Sequence, residues 1–294
     1  MVQTGKKHDY YVTRYSLIKD KQLTFEDYLS EKTKEEKFVE WLNSFTKEHR
    51  KEIDYKKTNY VIYCKRLKEL GTRYYMMTFA KEKQLVRGKK ADTCIETEEL
   101  EDYKDCHIFI DVERQFFLIE RNSELGNDII QQKNIIAKVI THILENRFLF
   151  FELELLTEKN NFWEYIHENN GKVSEIEFQL VAPNFLGIKT VREMLEKLNI
   201  YNNTRCQFKL QNEEGKLKID ENDEFIKDAV TYTSSGGGSW KIKALQSKES
   251  TSEDTPEKYD LSDNVINLND TAMEEIKTVF EILNRQDEGN HIGE

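Results

Sequence analysis

The sequence predicts an α+β fold: two domains with mostly antiparallel sheets and flanking helices, then a C-terminal helix beyond a flexible acidic linker. Two observations favour this class. Pairs of short runs rich in aromatic and β-branched residues stand at hairpin spacing, and other segments carry apolar residues at the period of an α-helix. The chain has 294 residues, 38% of them hydrophobic, which is enough for two modest cores.

The predicted N-terminal domain spans residues 1–145 and contains the loop on which the functional prediction depends. Its predicted elements are a strand at 9–15, a short helix capped by Thr24, a helix at 34–50, hairpins at 60–79 and 107–120, and a helix from 129 to about 147. Between the two hairpins, residues 81–103 are polar and turn-rich, with basic residues first and acidic residues afterwards. We expect a loop there.

The predicted second domain spans residues 146–245 and is also α+β. Its predicted elements are strands at 148–156, 173–181, 206–210 and 240–244, with helices at 162–167, 189–198 and 223–229. The strand at 173–181 alternates apolar and polar residues, which is typical of a half-buried strand.

Residues 246–260 are rich in Ser, Thr and Glu and predict an acidic linker, and residues 261–294 predict a C-terminal strand and helix. The helix has one apolar face that must be buried, either on its own domain or on a second copy of the chain. We assign this face to dimerisation and expect a homodimer. The residues of the face are Met273, Ile276, Phe280 and Leu283.

The charge of the chain is divided between two segments. Residues 47–90 carry fourteen Lys/Arg and five Asp/Glu, whereas residues 246–294 carry four and thirteen. Most of the net charge of −11 therefore comes from residues 246–294, which we call the acidic tail. Residues 47–90 can still present a basic surface to a polyanion. We also expect the acidic tail to compete with nucleic acid for that surface.

The predicted nucleic-acid contacts are basic residues of the first hairpin and of the loop after it. A basic loop beside a sheet edge can contact phosphates without reading bases, so we expect DNA to be bound without sequence preference. The alternative is a solvated surface balanced by the acidic run at 96–102. The predicted contacts are Lys65, Arg66, Arg73, Lys81, Lys83, Arg87, Lys89 and Lys90.

No motif in the sequence predicts catalysis, a metal or a cofactor. The four cysteines are scattered and the six histidines lack ligand spacing. The glycine cluster at 234–239 precedes a predicted strand, whereas phosphate-cradling loops precede a helix. The nearest approach to a nuclease site is Asp111 with Glu120, without the expected lysine. A nuclease with an unrecognised metal site, or a protein-interaction sensor that binds no nucleic acid, remains as an alternative.

The expected location is the cytoplasm. No apolar run approaches the roughly 20 residues that span a bilayer. The N-terminus lacks the apolar region of a secretory signal. Scattered cysteines without pair spacing fit reduced thiols in that compartment.

Four segments of the chain resemble a group of phage-exclusion proteins typified by the lambda RexA protein. They are the strand and basic loop Tyr74–Val86, the hairpin His107–Ile119, the alternating strand Val173–Val181, and the segment Tyr259–Val265 before the last helix. The chain is also more distantly similar to the KwaB-type component of Kiwa defence systems. The glycine cluster is not a feature of the group.

The resemblance implies an intracellular dimer that binds DNA with little sequence preference. It also implies a role in anti-phage defence together with a membrane-protein partner. The defence role and that partner rest on the resemblance alone, whereas the division of charge predicts polyanion binding independently.

Overall fold

The structure, a computed structural model, describes residues 7–19, 32–90, 94–181, 205–262, 265 and 268–291. In this part of the chain two antiparallel β-sheets are packed with helices, which confirms the α+β fold class. The predicted short helix capped by Thr24 and the predicted helix at 189–198 lie outside the described residues.

The strands and helices of the described residues are numbered here in chain order. The strands are β1 (Lys7–Lys19), β2 (Arg50–Tyr55), β3 (Thr58–Arg66), β4 (Tyr74–Lys90), β5 (Ile95–Asp111), β6 (Phe116–Glu120), β7 (Leu149–Leu155), β8 (Val173–Val181), β9 (Arg205–Gln211), β10 (Gly238–Ala244), β11 (Ser250–Thr251) and β12 (Lys258–Ser262). The helices are α1 (Lys34–Glu48), α2 (Ile129–Leu144), α3 (Asn160–Glu168), α4 (Glu224–Tyr232) and α5 (Asp270–His291).

The larger sheet has the strand order β12-β1-β6-β5-β4-β3-β2, and β7 also pairs with β1. One face of this sheet packs against α1 and α2 and forms the largest apolar core. Both helices begin where the sequence supplies a cap: Thr33 makes a capping box with Glu36, and Asp128 accepts a hydrogen bond from the Gln131 N–H. The alternation of buried residues along the strands leaves every second side chain for the opposite face.

The C-terminal helix α5 packs on that opposite face. Ile276, Phe280 and Leu283 are buried there against sheet residues such as Phe109 and Leu118. The predicted dimerisation face of Met273, Ile276, Phe280 and Leu283 is therefore occupied by the chain's own sheet. This outcome corrects the assignment of Ile276, Phe280 and Leu283 to a dimer contact, because a buried side chain cannot also meet a second copy. Met273 packs beside them and is only partly buried.

The smaller sheet has the strand order β11-β10-β8-β9 and packs with α3 and α4 around its own core. The two sheets are joined through buried polar side chains. The buried Arg14 of β1 donates to the Ser235 carbonyl at 2.7 Å and to Asp287 of α5 at 2.6 Å. The buried Lys133 of α2 lies 3.4 Å from Glu154 and 3.3 Å from Glu253.

Two predicted boundaries differ from the structure. The strand β7, predicted in the second domain, pairs with β1 of the larger sheet. The predicted linker at 246–260 contains β11, which pairs with β10, and the start of β12, which pairs with β1. Polar composition gave the wrong prediction because both strands use backbone hydrogen bonds, and Thr251 and Asp254 form a capping box between them.

The predicted basic loop is also wrong, because residues 81–103 lie mainly within β4 and β5. Beyond Lys81, β4 has no further pairing with β3, and β5 pairs with β6 only from Ile108 onward. Residues 82–90 and 95–103 therefore pair only with each other. Nine residues of strand project roughly 30 Å. We call this projection, residues 82–90 and 95–103, the ribbon.

Candidate functional site

The structure does not gather the eight predicted basic residues into one surface. Arg73 lies at the start of β4 and Lys90 at its end. Arg73 is paired with Glu113 at 2.8 Å and with the buried Asp111 at 3.2 Å. Burial raises the pKa of the Asp111 carboxyl, and the Arg73 guanidinium offsets part of that effect. Arg73 therefore has a structural role beside the β5–β6 turn.

The charges of the ribbon largely compensate one another. Arg87 and Lys89 both contact Glu98, at 2.9 and 3.3 Å, and Lys83 contacts Glu124 at 2.9 Å. The register brings the basic half of the sequence opposite the acidic half, residue by residue. The described residues of the ribbon carry four basic side chains and six acidic ones. The ribbon therefore lacks the positive excess that the sequence predicted.

A cavity of about 610 Å³ opens at the edge of β3, where its lining includes Phe45 and Cys64 from the α1 side of the larger sheet and Tyr63 and Lys65 from the opposite side. Three of its lining residues are Lys or Arg and two are His, and no Asp or Glu is among the described residues that line it. The lining residues are Phe45, His49, Tyr63, Cys64, Lys65, Arg66, Lys68, Met76, Thr78 and His107. We call this the β3-edge cavity.

The cavity exists because β2 is shorter than β3. The last residue of β3 that pairs with β2 is Tyr63, and the next three residues of β3 all line the cavity. His49 ends α1 with a positive φ of 56°, and its N–H bonds the Phe45 carbonyl. This turn brings His49 to the open end of the β3 edge.

The cations of the cavity differ in how they are held. Arg66 donates to the Tyr75 hydroxyl at 2.7 Å and to Asn43 at 2.8 Å, so its guanidinium is fixed. Lys65 and Lys68 are exposed, and neither forms an ion pair within the part of the chain that the structure describes. These two lysines are therefore free to meet an anion without first breaking a contact.

His107 forms the inner wall of the cavity, and a buried carboxylate holds it in place. Its Nδ1 lies 2.7 Å from Glu120, whose other oxygen lies 2.7 Å from Nδ1 of His8. The His107 backbone N–H also donates to Glu120 at 2.9 Å. Because Nδ1 of His107 is engaged, Nε2 is the ring nitrogen left for other partners, with Asp105 3.9 Å away.

Tyr63 is the aromatic ring that the cavity exposes, at 43% of its surface. Tyr74 and Tyr75 of the neighbouring strand β4 are not exposed in this way. Tyr75 is buried in the main core, and Tyr74 packs on Phe280 with ring centroids 5.1 Å apart. Tyr63 shares its sheet face with Lys65 two residues on and with its cross-strand partner Thr78.

Of the predicted residues, only Lys65 and Arg66 line the cavity, and the prediction missed Tyr63, Lys68, His49, Thr78 and His107. Strand alternation alone could have placed Tyr63 and Lys65 on one face. The histidines give no such signal, because the register between strands, rather than their spacing in the sequence, brings them to the cavity.

The residues closest to a nuclease pattern have structural roles. Asp111 is fully buried and accepts hydrogen bonds from the backbone N–H groups of Glu113 and Arg114. Within the described ranges no group of three His, Cys, Asp or Glu could hold a metal ion. Burial raises the pKa of the Cys64 thiol to about 12, so this cavity-lining cysteine is not a thiolate nucleophile at neutral pH.

Comparison with known proteins gives no match: no family model, no curated protein and no solved structure is similar to this chain. In the portion of the chain that the structure describes, no helix has the length and apolar character required to cross a membrane.

Proposed function

We propose that this protein binds nucleic acid without sequence preference, with its phosphates held at the β3-edge cavity. The observation that carries the proposal is the one-sided charge of the cavity: three cationic side chains and two imidazoles, with no carboxylate among the described lining residues. Lys65, Arg66 and Lys68 are the phosphate contacts of this proposal.

The chemistry of the side chains supports phosphate binding rather than base reading. Lys65 and Lys68 are mobile point charges without ion-pair partners in the described ranges, and such contacts bind phosphate by releasing counterions. The guanidinium of Arg66 is held by Tyr75 and Asn43, which gives the site one cation of fixed position. The proposal includes no side chain that reads the edge of a particular base, so it predicts binding without sequence preference.

The wider role in the proposal comes from the resemblance to phage-exclusion proteins. We propose that the chain acts in the cytoplasm, in anti-phage defence, where non-specific binding would bring it to incoming or replicating nucleic acid. A homodimer and a membrane-protein partner belong to the same proposal. The surface of such a dimer lies away from Ile276, Phe280 and Leu283, which are buried.

A salt titration with two matched variants tests the binding. In K65E/K68E the two free cations of the cavity are reversed, and in the control K216E/K218E two exposed lysines of the smaller-sheet region are reversed, so both variants have the same net charge. At about 50 mM salt we expect K65E/K68E to bind a 20-nucleotide DNA at least about 10-fold more weakly than the control. The log–log salt slope should also become shallower by about 1.5 to 2.

Equal loss of affinity in both variants would show that only bulk charge matters and would contradict a site at the cavity. Binding by K65E/K68E at the level of the native protein would remove the cavity from the proposal altogether. For the defence role, plating of phage on cells that express each variant should follow the DNA affinity, with protection lost in K65E/K68E and kept in K216E/K218E.

A further inference from the structure

We infer that the β3-edge cavity takes an unpaired nucleotide, with its base against the Tyr63 ring and its phosphate at Lys65 and Lys68. The preferred ligand is then single-stranded nucleic acid rather than a duplex. This inference rests on the proposed nucleic-acid binding and specifies the ligand class at the same site.

The size and lining of the cavity exceed what a phosphate contact needs. A volume of about 610 Å³ lies within the range of pockets that enclose most of a small molecule. Besides Lys65, the side of the sheet that carries the exposed ring of Tyr63 contributes Met76 and Thr78 to the wall, whereas the buried Phe45 lies on the α1 side. A duplex would present only its phosphates to this wall, because its bases are paired and stacked. An unpaired nucleotide can use both the apolar and the cationic parts.

Tyr63 is positioned as a stacking platform. It lies on the same strand face as Lys65, and alternate residues of a strand are roughly 6.6 Å apart, so the ring and the cation are adjacent. Arg50 is its cross-strand partner on β2 and places a further cation beside the ring, although Arg50 also pairs with Glu52 at 2.8 Å. Exposed aromatic rings beside cations on a sheet are the recurring arrangement for binding single strands, and stacking tolerates any base.

The test compares a fluorescent 12-nucleotide DNA, the RNA of the same sequence and the duplex of the same DNA, each bound to the full chain. We expect the native protein to bind the DNA single strand at least about 10-fold more tightly than the duplex. In Y63A this preference should vanish while duplex affinity stays the same, and Y63F, which keeps the ring, should retain it. The affinities for the DNA strand and for the RNA strand show which of the two single-stranded nucleic acids the cavity prefers.

The outcomes separate the inference from the proposed function. Equal affinity of the native protein for single strand and duplex, or an equal loss of both in Y63A, would overturn the inference and leave nucleic-acid binding intact. Failure to bind any of the three ligands would overturn both. Thermal unfolding of Y63A at the native midpoint shows that a changed affinity reflects the lost ring, because Tyr63 is exposed and its removal leaves the core unaltered.

Discussion

Glu120 is the single residue on which the position of His107 depends. Its carboxylate is almost fully buried between two imidazoles and also accepts the His107 backbone N–H. Burial raises the pKa of Glu120, but the hydrogen bonds from the His107 side chain and backbone outweigh burial and hold the pKa below its ordinary value. The ionised carboxylate is therefore the form that the fold stabilises.

The sign of this pKa shift predicts how stability depends on pH. A carboxyl group with a depressed pKa in the folded state adds stability above its unfolded pKa, and that stability is lost as the pH falls through the folded value. We expect E120Q to lower the free energy of unfolding by about 2 kcal/mol at pH 7, because hydrogen bonds to a charged group are weakened. Urea denaturation at pH 7, 5 and 3 measures the difference in free energy of unfolding between the native protein and E120Q. This difference should become smaller between pH 5 and pH 3. A difference that grows between pH 5 and pH 3 would contradict the assignment.

The lining of the cavity shows which single residues a sequence can reveal. Lys65 and Arg66 were predicted because local charge identifies them, and Tyr63 follows from strand alternation. His107 reaches the cavity because Thr78 pairs with it across β4 and β5, and Thr78 also pairs with Tyr63. Register of this kind depends on contacts between distant parts of the chain and is not visible in any local pattern.

Among the elements, the ribbon differs most from its prediction. A basic run followed by an acidic run of similar length predicts a loop if each run is judged alone. Paired as antiparallel strands, the two runs place Lys83 opposite Asp102, Arg87 opposite Glu98 and Lys89 opposite Glu96. Opposite charges directly across a ladder stabilise a strand pair. A basic run followed closely by an acidic run of similar length is therefore a hairpin signal that the sequence did contain.

Reversal of one central charge tests this account of the ribbon. In E98K the partner of Arg87 and Lys89 becomes a third cation, so we expect faster amide hydrogen exchange in the ribbon. The global free energy of unfolding should fall by less than about 1 kcal/mol, because exposed ion pairs contribute little to stability. The matched control E214K removes an exposed partner of Lys216 outside the ribbon. Unchanged exchange in the ribbon of E98K would show that backbone pairing alone holds it.

The helices were predicted more closely than the C-terminal strands, for a physical reason. The helix α1 carries an apolar stripe of Phe38, Trp41, Leu42 and Phe45, which are all buried as the period predicts. The strands β11 and β12 are short and polar and are held by backbone pairing. The partners of β12 are more than 200 residues away, as in the ion pair of Asp9 with Lys258. Composition alone assigned them to a linker.

On the scale of the whole molecule, the acidic tail is part of the fold. The strand β12 pairs with β1, and α5 covers the second core of the larger sheet. The four side chains Leu261, Ile276, Phe280 and Leu283 are nearly fully buried. At about 2 kcal/mol each they contribute about 8 kcal/mol, which is comparable to the stability of an entire domain.

We therefore expect a chain truncated after residue 245 to lose its fold, because both sheets lose a strand and the larger sheet loses its cover. Its unfolding in urea should show no cooperative transition, and gel filtration should show aggregates. The hypothesis that the tail competes with nucleic acid therefore cannot be tested by a deletion. It can be tested by reversing the charge of exposed carboxylates such as Glu274 and Glu281. A truncated chain that unfolds cooperatively would show that the tail is separable after all.

The division of charge in the sequence also has a different meaning in the folded molecule. The positive excess of residues 47–90 is partly cancelled by the facing strand β5 in the ribbon. Lys65 and Lys68 are two of several lysines of this segment that form no ion pair among the described residues, and they are the two that line the cavity. The surface proposed to bind nucleic acid is smaller than the one the sequence predicts, and it lies at the opposite end of the β3–β4 pair from the ribbon.

The most direct test of a binding site at the β3-edge cavity is to determine which residues the bound strand contacts. A 12-nucleotide DNA that carries one photoreactive thymine would be cross-linked to the full native chain, and the modified peptides identified by mass spectrometry. We predict cross-links within residues 45–78, which contain Tyr63, Lys65 and Lys68. Cross-links concentrated in residues 82–103 instead would place the nucleic acid on the ribbon and contradict a binding site at the β3-edge cavity.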